Sequence, residues 1–236
     1  MITLSKGVVM YNYKNFGESP IHNALSYFYY FISVNILFTL SNLLFIISLI
    51  VLKLELQNLI FFIIALIPTG PSLTALFSVM GKLVREKDIY PFKDYWNAYK
   101  LNFKATMKVW SIQLFLLLVI IVDIRYMSTA NNISFIFIKP LILIAVTLVS
   151  ISIYLYAILS RFDLKTKDLI KLSFFYTFKR LPSSVVNMII LGISIYFAFF
   201  KSPILIPFIA GIIVYIMMFR LSSVLKEIEE NIIVTS

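Results

Sequence analysis

The chain has 236 residues, 61% of them hydrophobic and only 14% charged, with a mean hydropathy of +0.94, whereas a soluble domain carries about a quarter charged residues. It has no cysteine, which excludes disulfides, iron–sulfur clusters and thiol chemistry. The net charge of +10 does not point to nucleic acid, because the cations sit in stretches between long uncharged ones.

Residues 1–24 hold no sustained apolar core and no small-residue cleavage site, so the first apolar segment is expected to act as an uncleaved insertion signal. A spanning helix needs about 20 apolar residues. Tyr27–Leu52 is uncharged for 26 residues, Leu59–Gly81 for 23, Pro140–Ser160 for 21, Leu181–Phe200 for 20 and Ser202–Phe219 for 18. The third candidate, Ala105–Ile124, reaches spanning length when Lys108 and Asp123 lie at opposite interfaces, where a long side chain can snorkel. The sequence therefore predicts an all-α, polytopic membrane protein, a single domain with spans at about 27–52, 59–81, 105–124, 140–160, 181–200 and 202–219.

The cations orient these spans. Lys6 and Lys14, the seven Lys and Arg from Lys82 to Lys108, the six from Arg161 to Arg180, and Arg220 and Lys226 place seventeen on one side. Lys53, Arg125, Lys139 and Lys201 place four on the other. Positive residues are retained in the cytoplasm, so both termini are expected inside, with cytoplasmic loops at 82–104 and 161–180.

Inside the second span the sequence IPTGPSLTA brings Pro68, Gly70 and Pro71 together. Proline removes a backbone donor and clashes with the preceding turn, so this helix must kink or break. Two readings stay open. The break exposes backbone to a solute, with Pro68, Thr69, Gly70, Pro71 and Thr74 as contacts, or it is a packing kink whose freed groups are satisfied by Thr69, Ser72 and Thr74. Asn35 and Asn42, seven apart on one face of span one, are expected to hydrogen-bond between helices or to line the same path. Gln113 and Asn187 are further candidates for buried hydrogen bonds.

Both basic loops read as amphipathic helices. In Pro91–Lys108, Phe92, Trp96, Tyr99 and Phe103 fall at i, i+4, i+7 and i+11, one helical face, with Lys100 and Lys104 among the lysines beside them. Rings at headgroup level and cations on anionic lipid suit a helix on the cytoplasmic leaflet; a protein-docking surface is the other reading. Arg161–Arg180 has a similar make-up. The glutamates of the tail, Glu227, Glu229 and Glu230, read as a solvated helix end or as ligands for a basic partner.

The span cores hold no Asp, Glu, Lys, Arg or His, which weighs against a proton relay. One histidine, His22, makes neither a His-rich metal site nor a hydrolytic triad without partners, and no Walker-type glycine loop is present. No enzymatic activity, cofactor or metal is expected.

The stretch from Ile67 to Trp110 resembles the signature region of the YesL-like integral membrane proteins of Gram-positive bacteria, with Pro71, Thr74, Ala75, Phe92, Trp96, Tyr99, Lys100, Phe103 and Lys104 at matching positions. Arg161-Phe162 and Leu181-Pro182 resemble the second cytoplasmic loop of that family, and GESPIHNALSYF its opening; the wide Leu52–Asn58 hairpin departs from it. The resemblance implies a plasma-membrane protein of unknown function beside carbohydrate ABC importers, an accessory to saccharide uptake with permease subunits or a solute-binding protein as partners. It implies no catalytic residue. The chain lacks the Glu-Ala-Ala coupling-loop pattern of importer permeases, so it is not expected to be the permease subunit. The alternative function is a small permease moving a neutral solute past the broken second helix.

Overall fold

A computed structural model describes residues 20–53, 55–129, 137–200 and 206–235. Among them the secondary structure is helical throughout, with no strand: α1 Pro20–Ser41, α2 Leu43–Val51, α3 Leu59–Leu66, α4 Thr69–Glu86, α5 Pro91–Thr129, α6 Ile138–Leu159, α7 Thr166–Lys179, α8 Leu181–Phe200 and α9 Ile206–Thr235. Five stretches are long and apolar enough to cross a membrane: Asn23–Ser41, Leu59–Glu86, Pro91–Ser128, Ile138–Leu159 and Ile209–Glu230. The α7–α8 pair, bent by 96°, makes a sixth if it counts as one span.

Polarity runs inside out. Ser33, Asn35, Ser72, Thr74, Thr106, Ser150, Ser184 and Asn187 are buried, while Phe28, Leu44, Ile50, Phe61, Leu143 and Ile189 are exposed on the helix flanks. A soluble monomer does not leave so much apolar side chain in water. With the length and hydropathy of the helices, this makes the chain a membrane protein. α4 is its central helix: Gly70, Pro71, Ala75, Leu76, Met80 and Leu83 are all buried, and it packs chiefly on α5 and α9.

Three elements differ from the sequence reading. The first apolar segment is two helices, interrupted at Asn42. The Asn42 side-chain amide donates to the Phe38 carbonyl at 2.8 Å, four residues back. An asparagine that bonds its own backbone in this way competes with the helical ladder.

The second difference lies at the inner end of α5. The amphipathic segment 91–108 is not a separate loop helix. It runs without interruption into the third span as one helix of 39 residues, about 58 Å long against a hydrocarbon core of about 30 Å. The physical reason is in the chain: after Pro91 there is no Gly or Pro until Pro140 to stop it. Its start is fixed by Asp94, whose carboxylate accepts the Tyr90 N–H at 2.9 Å, an arrangement of the capping-box kind.

Third, the expected loop 82–104 is almost all helix; only residues 87–90 separate α4 from α5. α4 ends on Lys87, at φ 63°, whose N–H donates to the Leu83 carbonyl at 3.0 Å. This is the left-handed cap that glycine usually supplies. α8 matches its expected bounds. α9 is described from Ile206 and carries the tail on as helix to Thr235; the expected start at Ser202 falls in residues 201–205, which lie outside those described.

Candidate functional site

The break in the second span falls at Ile67-Pro68, between α3 and α4. Both residues keep right-handed helical angles, so the chain kinks without unwinding. The Trp110 indole of α5 packs against Gly70, and its Nε1 donates to the Leu66 carbonyl at 2.8 Å. Ser72 Oγ donates to the Pro68 carbonyl at 2.6 Å. Thr74 Oγ1 shares a 2.9 Å hydrogen bond with Thr106 Oγ1 across the α4–α5 contact. Trp110 thus supplies a side-chain donor to a carbonyl at the break, as helix breaks in lipid require, while the Pro68 carbonyl also accepts the Ser72 N–H at 3.1 Å. Thr69 departs from its expected role: its buried hydroxyl has no hydrogen-bond partner.

The two asparagines of the first segment do different jobs. Asn35 Oδ1 accepts the Gly211 N–H at 2.7 Å and joins α1 to α9, an interhelical bond of the expected kind. Asn42 turns inward to its own helix, leaving its buried Oδ1 unpaired. Gln113 accepts from the Tyr156 hydroxyl at 2.9 Å and Asn187 from Arg220 Nε at 3.2 Å. The unpaired Asn42 and Thr69 atoms therefore sit one at each helix break.

The expected aromatic face on α5 exists as a ridge. Phe92, Trp96 and Phe103 are exposed and Tyr99 half-buried, with ring centroids 5.5 Å apart for Trp96–Tyr99 and 5.9 Å for Tyr99–Phe103. Tyr95, Ala98, Thr106 and Val109, on a different face, make the contact with the bundle. Lys100 and Lys104 are exposed and form no ion pair among the described residues.

A polar cavity of about 410 Å³, which the sequence did not reveal, lies between α4, α5 and the end of α6. Lys82, Asp94, Asn97, Asn102, Arg161 and Asp163 line it. Lys82 Nζ reaches both Asp94 oxygens, at 3.0 and 2.9 Å, and Arg161 is paired with Glu229 of α9. Both cations are committed to internal carboxylates, whereas Asp163 forms no ion pair among the described residues, so the charge left over in the cavity is negative. Its residues come from three separate stretches, and no local spacing in the sequence joins them. The tail glutamates, read as solvated, instead hold the second basic loop: Glu229 takes Arg161, and Glu227 takes Lys179 and Arg180, the latter at 2.9 Å.

Part of this arrangement falls in a region with known counterparts. Residues 31–124, from α1 through the kink to most of α5, match the family described as "Protein of unknown function, DUF624". The chain is also similar to the "Uncharacterized protein YteU" of Bacillus subtilis (strain 168), 23% identical over 188 residues, which cover 77% of this chain and 84% of that protein. Both agree with the YesL-like resemblance of the motifs. No solved structure matches.

Proposed function

We propose that this is a six-span plasma-membrane protein of a Gram-positive bacterium, with both termini in the cytoplasm. It serves as a non-enzymatic accessory or assembly subunit in carbohydrate uptake by an ABC importer. The topology rests on the seventeen-to-four division of Lys and Arg. The accessory role rests on the α5 ridge. Phe92, Trp96, Tyr99 and Phe103 form an aromatic edge, and Lys100 and Lys104 beside it form no ion pair among the described residues. Exposed aromatics flanked by free cations are what a docking interface uses as anchors. The ridge continues a spanning helix, so a contact there is held in register with the membrane. The importer as partner comes from the family resemblance.

The test is co-purification from the native host through a C-terminal tag in mild detergent. Importer permease subunits or a solute-binding protein are expected in stoichiometric amounts. Replacing Trp96, Tyr99 and Phe103 together by alanine is expected to release them while the chain stays inserted. Undiminished recovery with the triple variant would remove the ridge from the interface.

The second reading, a small permease for a neutral solute, is favoured by the unpaired Thr69 hydroxyl and Asn42 carbonyl at the two breaks. Against it, Trp110 occupies the space beside Gly70. Purified protein in vesicles is expected to show no solute flux; flux that Pro71→Ala alters would reverse the order of the two readings.

A further inference from the structure

The α7–α8 corner sets one amphipathic helix across the direction of a span. α7 turns by 96° into α8, and the turn is fixed by hydrogen bonds. The buried Ser184 Oγ donates to the Thr177 carbonyl at 2.8 Å, and the Tyr154 hydroxyl of α6 lies 2.9 Å from Ser184 Oγ. Leu169, Ser173, Tyr176 and Thr177 form the buried face of α7. If α8 crosses the membrane, as the proposed topology has it, α7 must run along the surface.

The free face of α7 has the chemistry of that surface. Ile170, Phe174 and Phe178 follow one another at spacings of four, a single stripe, and are 40%, 55% and 45% exposed. Lys167 and Lys171 border the stripe. They and Lys165 form no ion pair among the described residues, whereas the other cations of this loop, Arg161, Lys179 and Arg180, are taken by Glu229 and Glu227. Asp168 falls about a third of a turn from the stripe. Apolar rings flanked by uncompensated lysines complement an anionic leaflet.

We propose that α7 lies in the plane of the bilayer and binds anionic phospholipid, with the Ile170–Phe174–Phe178 stripe among the acyl chains and Lys167 and Lys171 on the headgroup phosphates. The first basic loop cannot do this, because its helix continues straight into a span.

The chain has no cysteine, so single substitutions Phe174→Cys, Phe178→Cys, Asp168→Cys and Leu143→Cys each give one site for a fluorescent label. The full-length protein is placed in phosphatidylcholine–phosphatidylglycerol vesicles. Labels at 174 and 178 are expected to resist aqueous iodide and to be quenched by nitroxides near the headgroups, more by nitroxide phosphatidylglycerol than by nitroxide phosphatidylcholine. The label at 168 is expected to be open to iodide. Lys167→Gln with Lys171→Gln is expected to lower the phosphatidylglycerol preference roughly tenfold or to parity.

Iodide quenching at 174 and 178 as strong as at 168 would overturn the placement, as would protection that appears only on adding a host protein extract. An unchanged preference in the double lysine variant would overturn the headgroup contact. The label at Leu143, on the exposed flank of α6, separates this from the topology. Quenching there by nitroxides deep in the acyl chains shows that the chain spans whatever α7 does.

Discussion

At Gly70 there is room for hydrogen and little else. A β-carbon there would stand 2.7 Å from both Cβ and Cδ1 of Trp110, inside any tolerable contact. Alanine would gain up to about 1 kcal/mol of helix propensity over glycine, but overpacking costs about 1–3 kcal/mol. Gly70→Ala is therefore expected to destabilise the protein by about 1–2 kcal/mol, read as a lower melting temperature in detergent. The same substitution in a Trp110→Phe background should cost less, because the smaller ring can retreat. Coupling between residues in contact is of the order of 0.5–3 kcal/mol. Equal costs in both backgrounds would mean that the indole does not set the kink. The identity of the breaking residues was legible in IPTGPSLTA; the residue that fills the break was not, since Trp110 lies 40 positions further along and meets Gly70 only through the α4–α5 packing.

At the level of elements, composition carried the reading where it acts locally. Long apolar stretches became helices, and the bounds of α8 agree because Leu181-Pro182 marks its start: proline disfavours helical continuation before it and is tolerated in the first turn. Two local cues pointed the other way. Asn42 was counted as a polar residue on a span face, yet its side chain bonds Phe38 and divides the segment. The lysines from Lys93 to Lys108 marked a loop by charge, yet nothing among them stops a helix, and α5 runs on. Charge places a segment relative to the membrane but does not end its secondary structure. The aromatic stripe was legible by its helical spacing, and Phe92, Trp96 and Phe103 are exposed as a ridge. The polar cavity was not, because Lys82, Asp94 and Arg161 converge through tertiary packing alone.

Across the whole molecule, the carboxylates of α9 gather the charged ends of the other helices. Glu229 holds Arg161 at the end of α6, and Glu227 holds Lys179 and Arg180 at the α7–α8 corner. The side chains differ in exposure: Arg161 is 14% and Glu227 26% exposed, whereas Lys179 and Arg180 are 43% and 46%. Pairs this open to solvent contribute about 0.2–1 kcal/mol each, too little to hold the bundle, whose core is the apolar contact of α4 with α5 and α9. Their effect must be local. Glu227→Gln with Glu229→Gln is therefore expected to leave the melting temperature nearly unchanged and to speed amide exchange in residues 221–230 by roughly fivefold to tenfold, the equivalent of about 1–1.4 kcal/mol. Exchange in α4 should not move. Raised salt should reproduce part of the effect in the unaltered protein, because exposed pairs are screened, and should do nothing further to the double variant. If exchange in 221–230 stays slow in the variant, the tail is held by Leu221, Val224, Leu225 and Ile228, which are all buried. In that case the ion pairs select where α9 docks without adding to how tightly it is held.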